Sequence, residues 1–278
     1  MTMAVQAQPA YRSSAESVNL FQPFLGLDPD EFKKLAATIL VVVPHRPSEG
    51  INKQLFRNAG VWALLGTPTA DVSDEFEGFV ELTRAGIVRT FLAYCNDNPQ
   101  VEYCVMIDND EAVPWDAPYR LAQWGKKVVS GIVCSYSEKK GGVFACFTSK
   151  DENGIGRFPT VTKTRMLPAQ GLREIESAGT GLLCVHKSVF QEMIDDDDKP
   201  FMIPEDVREH CCATGTLKLG EDMAFSQRCR DRGIKMYVDF SVHAEHFKTL
   251  SISWPKELID YSLDPRSWKV ASDDYVHV

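Results

Sequence analysis

Two rhythms of apolar and polar positions run along this chain. Thr38–Val43 is an unbroken run of apolar, mostly β-branched residues, which predicts a strand buried on both faces. Tyr103–Ile107, Val128–Val133, Leu182–Val185 and Lys235–Asp239 also read as strands, and Phe76–Leu82 as a further one. Ser241–His246 leaves the last strand. The segments between them carry helical spacing. Asp28–Ala37 and Asn52–Leu65 read as helices. Thr83–Tyr94 places Ile87, Val88, Phe91, Leu92 and Cys95 on one face. A further helix runs from Pro114-Trp115-Asp116 to Trp124, with Asp116 as N-cap. Ser188–Ile194 is another, and Glu221–Arg232 is closed by Gly233. Strands that alternate with helices predict an α/β fold with a mixed, mostly parallel central sheet flanked by helices. Residues 1–37 read as a lead-in, 38–248 as the single main domain and 249–278 as a polar tail packed on or near it. Residues 135–176 are rich in Lys, Arg, Gly and Thr. With hairpin strands at Val143–Phe147 and Phe158–Val161, they read as a flexible loop over a site more than as core.

Composition narrows the setting. The 278 residues are 44% hydrophobic and 25% charged, with a net charge of −9. That acidic balance speaks against broad nucleic-acid binding. The first 24 residues are polar and no apolar run reaches about 18 residues, so neither a secretory signal nor a membrane span is expected. None of the eight cysteines forms a Cys-x-x-Cys pair; buried free thiols in a reducing cytoplasm are expected rather than structural zinc. No signal for oligomeric state is visible.

The chemistry concentrates where the strand Tyr103–Ile107 runs into Asp108-Asn109-Asp110. Strand alternation sends Asp108 and Asp110 to one side, at the carboxyl end of a buried strand where α/β sheets bind ligands. Two close carboxylates repel, and a hard divalent cation resolves the conflict; a solvated Asp-Asn-Asp turn is the bland alternative. The acid run Asp195–Asp198 reads as a solvated loop. Three other features need an account: Gly179-Thr180-Gly181 before a strand, Gly220-Glu221-Asp222 at a helix start, and His243-Ala244-Glu245-His246 after the last strand. Each also has an ordinary reading. Glu221 and Asp222 suit any helix N-terminus, Gly179 and Gly181 suit a tight turn, and a late histidine suits the surface.

Taken in order, these features resemble the GT-A glycosyltransferases that use nucleotide-sugar donors. They are nearest in character to short phage and bacterial members and to the mannosylglycerate synthase and mannan-polymerase group. The resemblance covers roughly residues 38–248 and implies a GT-A, Rossmann-like fold. It implies that Pro44, His45 and Arg46, in the loop after the first strand, touch the nucleotide. Val88-Arg89-Thr90 matches an Ala-Arg-Asn-like helix motif with Thr in place of Asn, which makes Arg89 a donor contact. Asp108-Asn109-Asp110 matches the Asp-x-Asp motif and Gly179-Thr180-Gly181 the Gly-x-Gly strand entry; both would bind donor. Asp110 and His246 would ligate Mn²⁺ or Mg²⁺, with Asp108 facing the ribose or reaching the metal through water. An imidazole ligand favours Mn²⁺. Glu221-Asp222 matches the Glu-Asp helix start; Asp222 would be the general base in inverting relatives and would orient substrate in retaining ones. His243 is the weaker candidate, and Lys163, Arg165 and Arg173 could close over phosphates or acceptor.

The resemblance therefore implies a cytoplasmic, metal-dependent enzyme transferring a hexosyl or pentosyl group to a hydroxyl acceptor. The acceptor could be a glycan, a small molecule, a protein or a hydroxylated phage DNA base, the last not favoured by the acidic balance. A UDP-sugar is preferred to a GDP-sugar as the commoner donor class. Among competing readings, a haloacid-dehalogenase-type phosphatase would want Thr or Val at Ala112 and an early strand. A nucleotidyltransferase would want a Gly-rich loop where Pro44–Gly50 stands. A noncatalytic glycan-binding module would not need the metal pair, Asp222 and His246 together.

Overall fold

The computed structural model describes residues 26–45, 52–73, 80–137, 142–145, 147–150, 156–157, 171–196, 199–204 and 220–247. Most of the lead-in, Arg46, Lys163, Arg165 and the tail 249–278 lie outside them.

The chain opens with α1 (Pro29–Ala37), β1 (Ile39–His45), α2 (Lys53–Leu64), β2 (Thr69–Ser73), α3 (Val80–Asp97), β3 (Tyr103–Ile107), β4 (Glu111–Ala112) and α4 (Ala117–Ala122). It continues through β5 (Val128–Ser137), β6 (Gly142–Ala145), β7 (Phe147–Lys150), β8 (Gly156–Arg157), β9 (Leu172–Ile175), β10 (Ser177–Ala178) and β11 (Leu182–His186). It ends with α5 (Lys187–Asp195), α6 (Glu221–Asp231) and β12 (Met236–His246). The main sheet has the order β2-β1-β3-β11-β5-β12-β4, with β6 on β5 and β9 on β12; β10, β7 and β8 form a second, small sheet. β2, β1 and β3 pair in parallel, as do β5 and β12. β11 runs antiparallel to both of its neighbours, β3 and β5. This is a mixed, mostly parallel sheet flanked by helices.

Strand alternation divides the core in two. Leu40, Val42, Cys104, Met106, Leu183 and Val185 face one side and pack with Ile87 and Phe91 of α3, Phe190 of α5 and Phe225 of α6. Ile39, Val41, Tyr103, Val105, Ile107, Leu182 and Cys184 face the other and pack with Phe32 of α1, Trp62 of α2 and Tyr119 of α4. With both faces covered, every position of β3 is buried, which is why its sequence shows a continuous apolar run. Burial of such side chains contributes about 1.5–3 kcal/mol each.

Several boundaries differ from expectation. The second strand is Thr69–Ser73, while Val80–Leu82 open α3. Asp116 holds the N-cap position of α4 but makes no side-chain cap bond; its carboxylate lies 3.7 Å from Arg120 instead. Ser241–His246 does not leave the sheet but continues β12. The 135–176 stretch contributes core as well as strands, since Phe147 and Ile175 are buried. Cys95, Cys104, Cys134, Cys184 and Cys229 are free thiols. Burial pushes the Cys229 thiol up to about 12.

Candidate active site

The acidic motif is a tight turn held at several backbone points. The Glu111 N–H donates to the Asp108 carbonyl at 3.0 Å, closing Asp108-Asn109-Asp110-Glu111, a sequence whose short polar side chains favour such turns. The Asp108 N–H donates to the Gly181 carbonyl at 3.0 Å, and the Phe247 N–H to the Asp110 carbonyl at 2.8 Å. β11 brings Gly181 here because it runs against β3: its first residue, Leu182, stands opposite Ile107, the last of β3. A Cβ at Gly181 would lie 3.1 Å from a Glu111 carboxylate oxygen, so a side chain there would crowd the acids.

β4 pairs antiparallel with the end of β12, and His246 stands opposite Glu111. The His246 Nε2 is 3.1 Å from Asp110 Oδ2 and 3.9 Å from Glu111 Oε1. Ligand atoms of Asp110, Glu111 and His246 all fall within 4.8 Å of one another. His246 Nδ1 lies 3.2 Å from the Cys134 carbonyl and must carry a hydrogen to bond it, which leaves Nε2 to face the carboxylates. The hydrogen bond to Asp110 is the main cause that raises the His246 pKa, with burial opposing and Glu111 assisting. A proton and a metal ion would therefore compete for the same position. The pairing of Asp110 with His246 expected from sequence is present, and Glu111 joins them. Asp108 stands outside this group.

Asp108 is held instead by Arg84 on α3. The guanidinium Nη2 lies 2.7 Å from Asp108 Oδ1 and 2.9 Å from Oδ2. The Arg84 side chain is only 3% exposed. Burial disfavours its charge, but Asp108, Glu221 and then Asp222 outweigh that and raise its pKa. Arg89, expected as the donor contact, is exposed on α3; five positions after Arg84, it lies well around the helix from the face that meets Asp108.

Glu221 and Asp222 form the first turn of α6, whose N-cap is Gly220. Burial raises the Glu221 pKa, and Arg84 acts against it. The Thr180 hydroxyl donates to Glu221 Oε1 at 3.4 Å. One Asp222 oxygen accepts the Met223 N–H at 2.7 Å. α6 is fastened to β10 through Ser226, whose Oγ accepts the Ala178 N–H at 3.2 Å and donates to the Asp222 carbonyl at 2.8 Å.

His246 owes its place to an irregularity in β12. Between Val238 and His243 the strand advances five positions while its partner β5 advances two, from Ser130 to Ile132. Such a bulge re-aims a strand end. Asp239 stabilises it: one carboxylate oxygen accepts Trp124 Nε1–H at 2.8 Å, and the other accepts the Ser241 N–H at 2.8 Å and its hydroxyl at 2.6 Å. His243 Nε2 meets the Phe240 carbonyl at 2.6 Å, so it belongs to the bulge.

The other expected residues are dispersed along this edge. Pro44 and His45 end β1 and pair with Val72 and Ser73 of β2; because β1 parallels β3, they share the edge with Asp108. Asn109 is half-buried within the turn and Gly179 half-buried before β11. Arg173 is an exposed residue of β9, opposite Val238.

No family model and no curated protein matches this sequence. Among solved structures, A197 from STIV has a TM-score of 0.48 at 14% identity, over 76% of this chain and 86% of its own. GalNAc-T7, solved with UDP, GalNAc and Mn²⁺, has a TM-score of 0.44 at 10% identity, over 77% of this chain and 44% of its own; this chain spans less than half of that protein. A glycosyltransferase involved in glycosylation of the major capsid of PBCV-1 has a TM-score of 0.32 at 9% identity, over 72% of this chain and 92% of its own. Likenesses this distant carry no residue role from one chain to the other. Among the described residues, no helix is long and apolar enough to cross a membrane.

Proposed function

We propose that residues 38–248 form a metal-dependent GT-A-type glycosyltransferase domain that moves a sugar from a nucleoside-diphosphate sugar to a hydroxyl acceptor. The observation that carries this reading is the 3.1 Å approach of His246 to Asp110 beside Glu111, at the edge where the parallel strands end. One imidazole nitrogen and two carboxylates suit Mn²⁺, and the Cys134 carbonyl orients the imidazole in the way that second-shell partners of metal-bound histidines do. Mn²⁺ bound there would neutralise the diphosphate leaving group as a Lewis acid.

The remaining roles belong to the chain's own groups. Asp108, held by Arg84, would accept hydrogen bonds from the donor ribose. Arg84, itself 3% exposed, would act through Asp108 by holding its carboxylate in place. The glycines of Gly179-Thr180-Gly181 would let the backbone approach the sugar closely, with Thr180 supplying a hydroxyl. Pro44, His45 and Arg46 would border the base. Asp222, at a helix N-terminus that favours its anion, would take the acceptor proton in an inverting reaction or orient the substrate in a retaining one, with Glu221 beside it. A UDP-sugar is the preferred donor.

A panel of UDP- and GDP-sugars incubated with protein and Mn²⁺, without acceptor, tests the reading. We expect slow release of UDP from one UDP-sugar, abolished by EDTA and by Asp110→Ala. Hydrolysis of no donor, or hydrolysis unaffected by Asp110→Ala, would overturn it.

A further inference from the structure

Gln54, Asn58 and Trp62 follow one another at intervals of four in α2, so they share one helix face. All three use that face to donate hydrogen bonds to one distant segment. Gln54 Nε2–H reaches the Val113 carbonyl at 3.0 Å, Asn58 Nδ2–H the same carbonyl at 2.9 Å, and Trp62 Nε1–H the Trp115 carbonyl at 2.6 Å. Asn58 is buried between Leu55 and Trp62, both core residues. A buried amide is costly without a partner, and an apolar side chain would cover this face as well. Two donors on one carbonyl supply something apolar contact does not, a fixed direction for the backbone. Val113 lies two residues beyond Glu111, and the intervening Ala112 pairs with Glu245, next to His246.

We propose that α2 is a splint for the metal centre, with Asn58 as a positioning residue that sets Glu111 and, across the β4–β12 pair, His246. The proposal rests on the metal reading of that cluster. Metal–ligand distances fall within about 0.2 Å of standard values in well-formed sites, and loss of a group bonded directly to a ligand typically weakens metal binding about 10–100-fold; Asn58 acts one step further out.

Titration calorimetry with Mn²⁺ alone, paired with urea unfolding of the metal-free protein, tests it. Asn58→Leu should weaken Mn²⁺ binding by up to about 10-fold, the low end of the loss seen when a direct outer-shell partner is removed. Trp62→Phe removes a hydrogen bond from the same helix face but beyond Val113; it should lower stability and leave Mn²⁺ affinity as in the unsubstituted protein. If Asn58→Leu does not fold, Gln54→Met takes its place in the comparison. Retention of full Mn²⁺ affinity by Asn58→Leu, or losses in both variants that simply track stability, would overturn the splint. If the unsubstituted protein takes up no Mn²⁺, the metal reading itself falls and the splint with it, an outcome distinct from unsubstituted protein and variant binding alike.

Discussion

Arg84 places a full positive charge in the interior, and Asp108 is the anion it touches. Removing one member of a buried ion pair typically costs about 3–5 kcal/mol; because the Asp108 side chain is 27% exposed, water would recover part of that. Arg84→Met should therefore lower the unfolding free energy by about 1–3 kcal/mol, read from urea unfolding at neutral pH; no loss would mean that the pair's attraction is fully offset by the desolvation of its two charges. Arg84 had a signal in the sequence. Stepping back three and four positions from Ile87 and Val88 lands on it, so a charge lies within the apolar stripe of α3 and needs a buried partner. The motif match pointed to Arg89, outside that stripe. Asp110 and His246 were legible because each stands at the end of an apolar strand, Asp110 just past β3 and His246 as the last residue of β12. Glu111 was not, since strict alternation turns it away from Asp110; only the turn and the pairing with β12 bring it back.

At the scale of elements, α5 shows how a cap can depend on pH. Its N-cap is His186, whose Nδ1 accepts the Ser188 N–H at 3.2 Å, which only an unprotonated Nδ1 can do. Burial, the largest cause, lowers the His186 pKa, with Glu102 acting against it. A folded-state pKa below the unfolded value of 6.5 means this contribution is complete above about pH 6.5 and is lost as pH falls through the folded value. His186→Asn keeps a capping oxygen that does not titrate, so its stability relative to the unsubstituted protein should rise between pH 8 and pH 5; urea unfolding at the two pH values checks this, and a constant difference would refute it. Helices α2, α3, α5 and α6 were legible from apolar spacing. β2 was not, because Thr69-Ala70-Asp71-Val72-Ser73 is an edge strand with little apolar content, whereas the apolar stretch just beyond it feeds a helix. The bulge in β12 has no signature in the apolar pattern either; Asp239 and its three donors are visible only in three dimensions.

For the whole molecule, the proposed metal, which would be held by two chain segments more than a hundred residues apart, should report on global stability. A ligand that binds only the folded state at about 100 times its dissociation constant adds about 2.7 kcal/mol, or about 5–10 °C in Tm for a domain of this size. Mn²⁺ at that excess should raise Tm by this amount, EDTA should reverse it, and Asp110→Ala should not respond. An equal rise in the variant, read by differential scanning fluorimetry, would place the ion elsewhere. The layered architecture was legible because burial on both faces forces long apolar strands. Strand direction was not, since an apolar run reads the same either way, and so the reversal of β11 appears only in the structure. The position of β11 in the sheet bears on biosynthesis. β11 lies between β3 and β5 but is made after both, so a nascent chain presents two bare strand edges to its surroundings until β11 arrives. At typical translation rates the interval is on the order of a few seconds, long enough for edge-to-edge association with other nascent chains. The yield of this protein in a cell should then depend on what shelters those edges during synthesis as much as on how stable the finished sheet is.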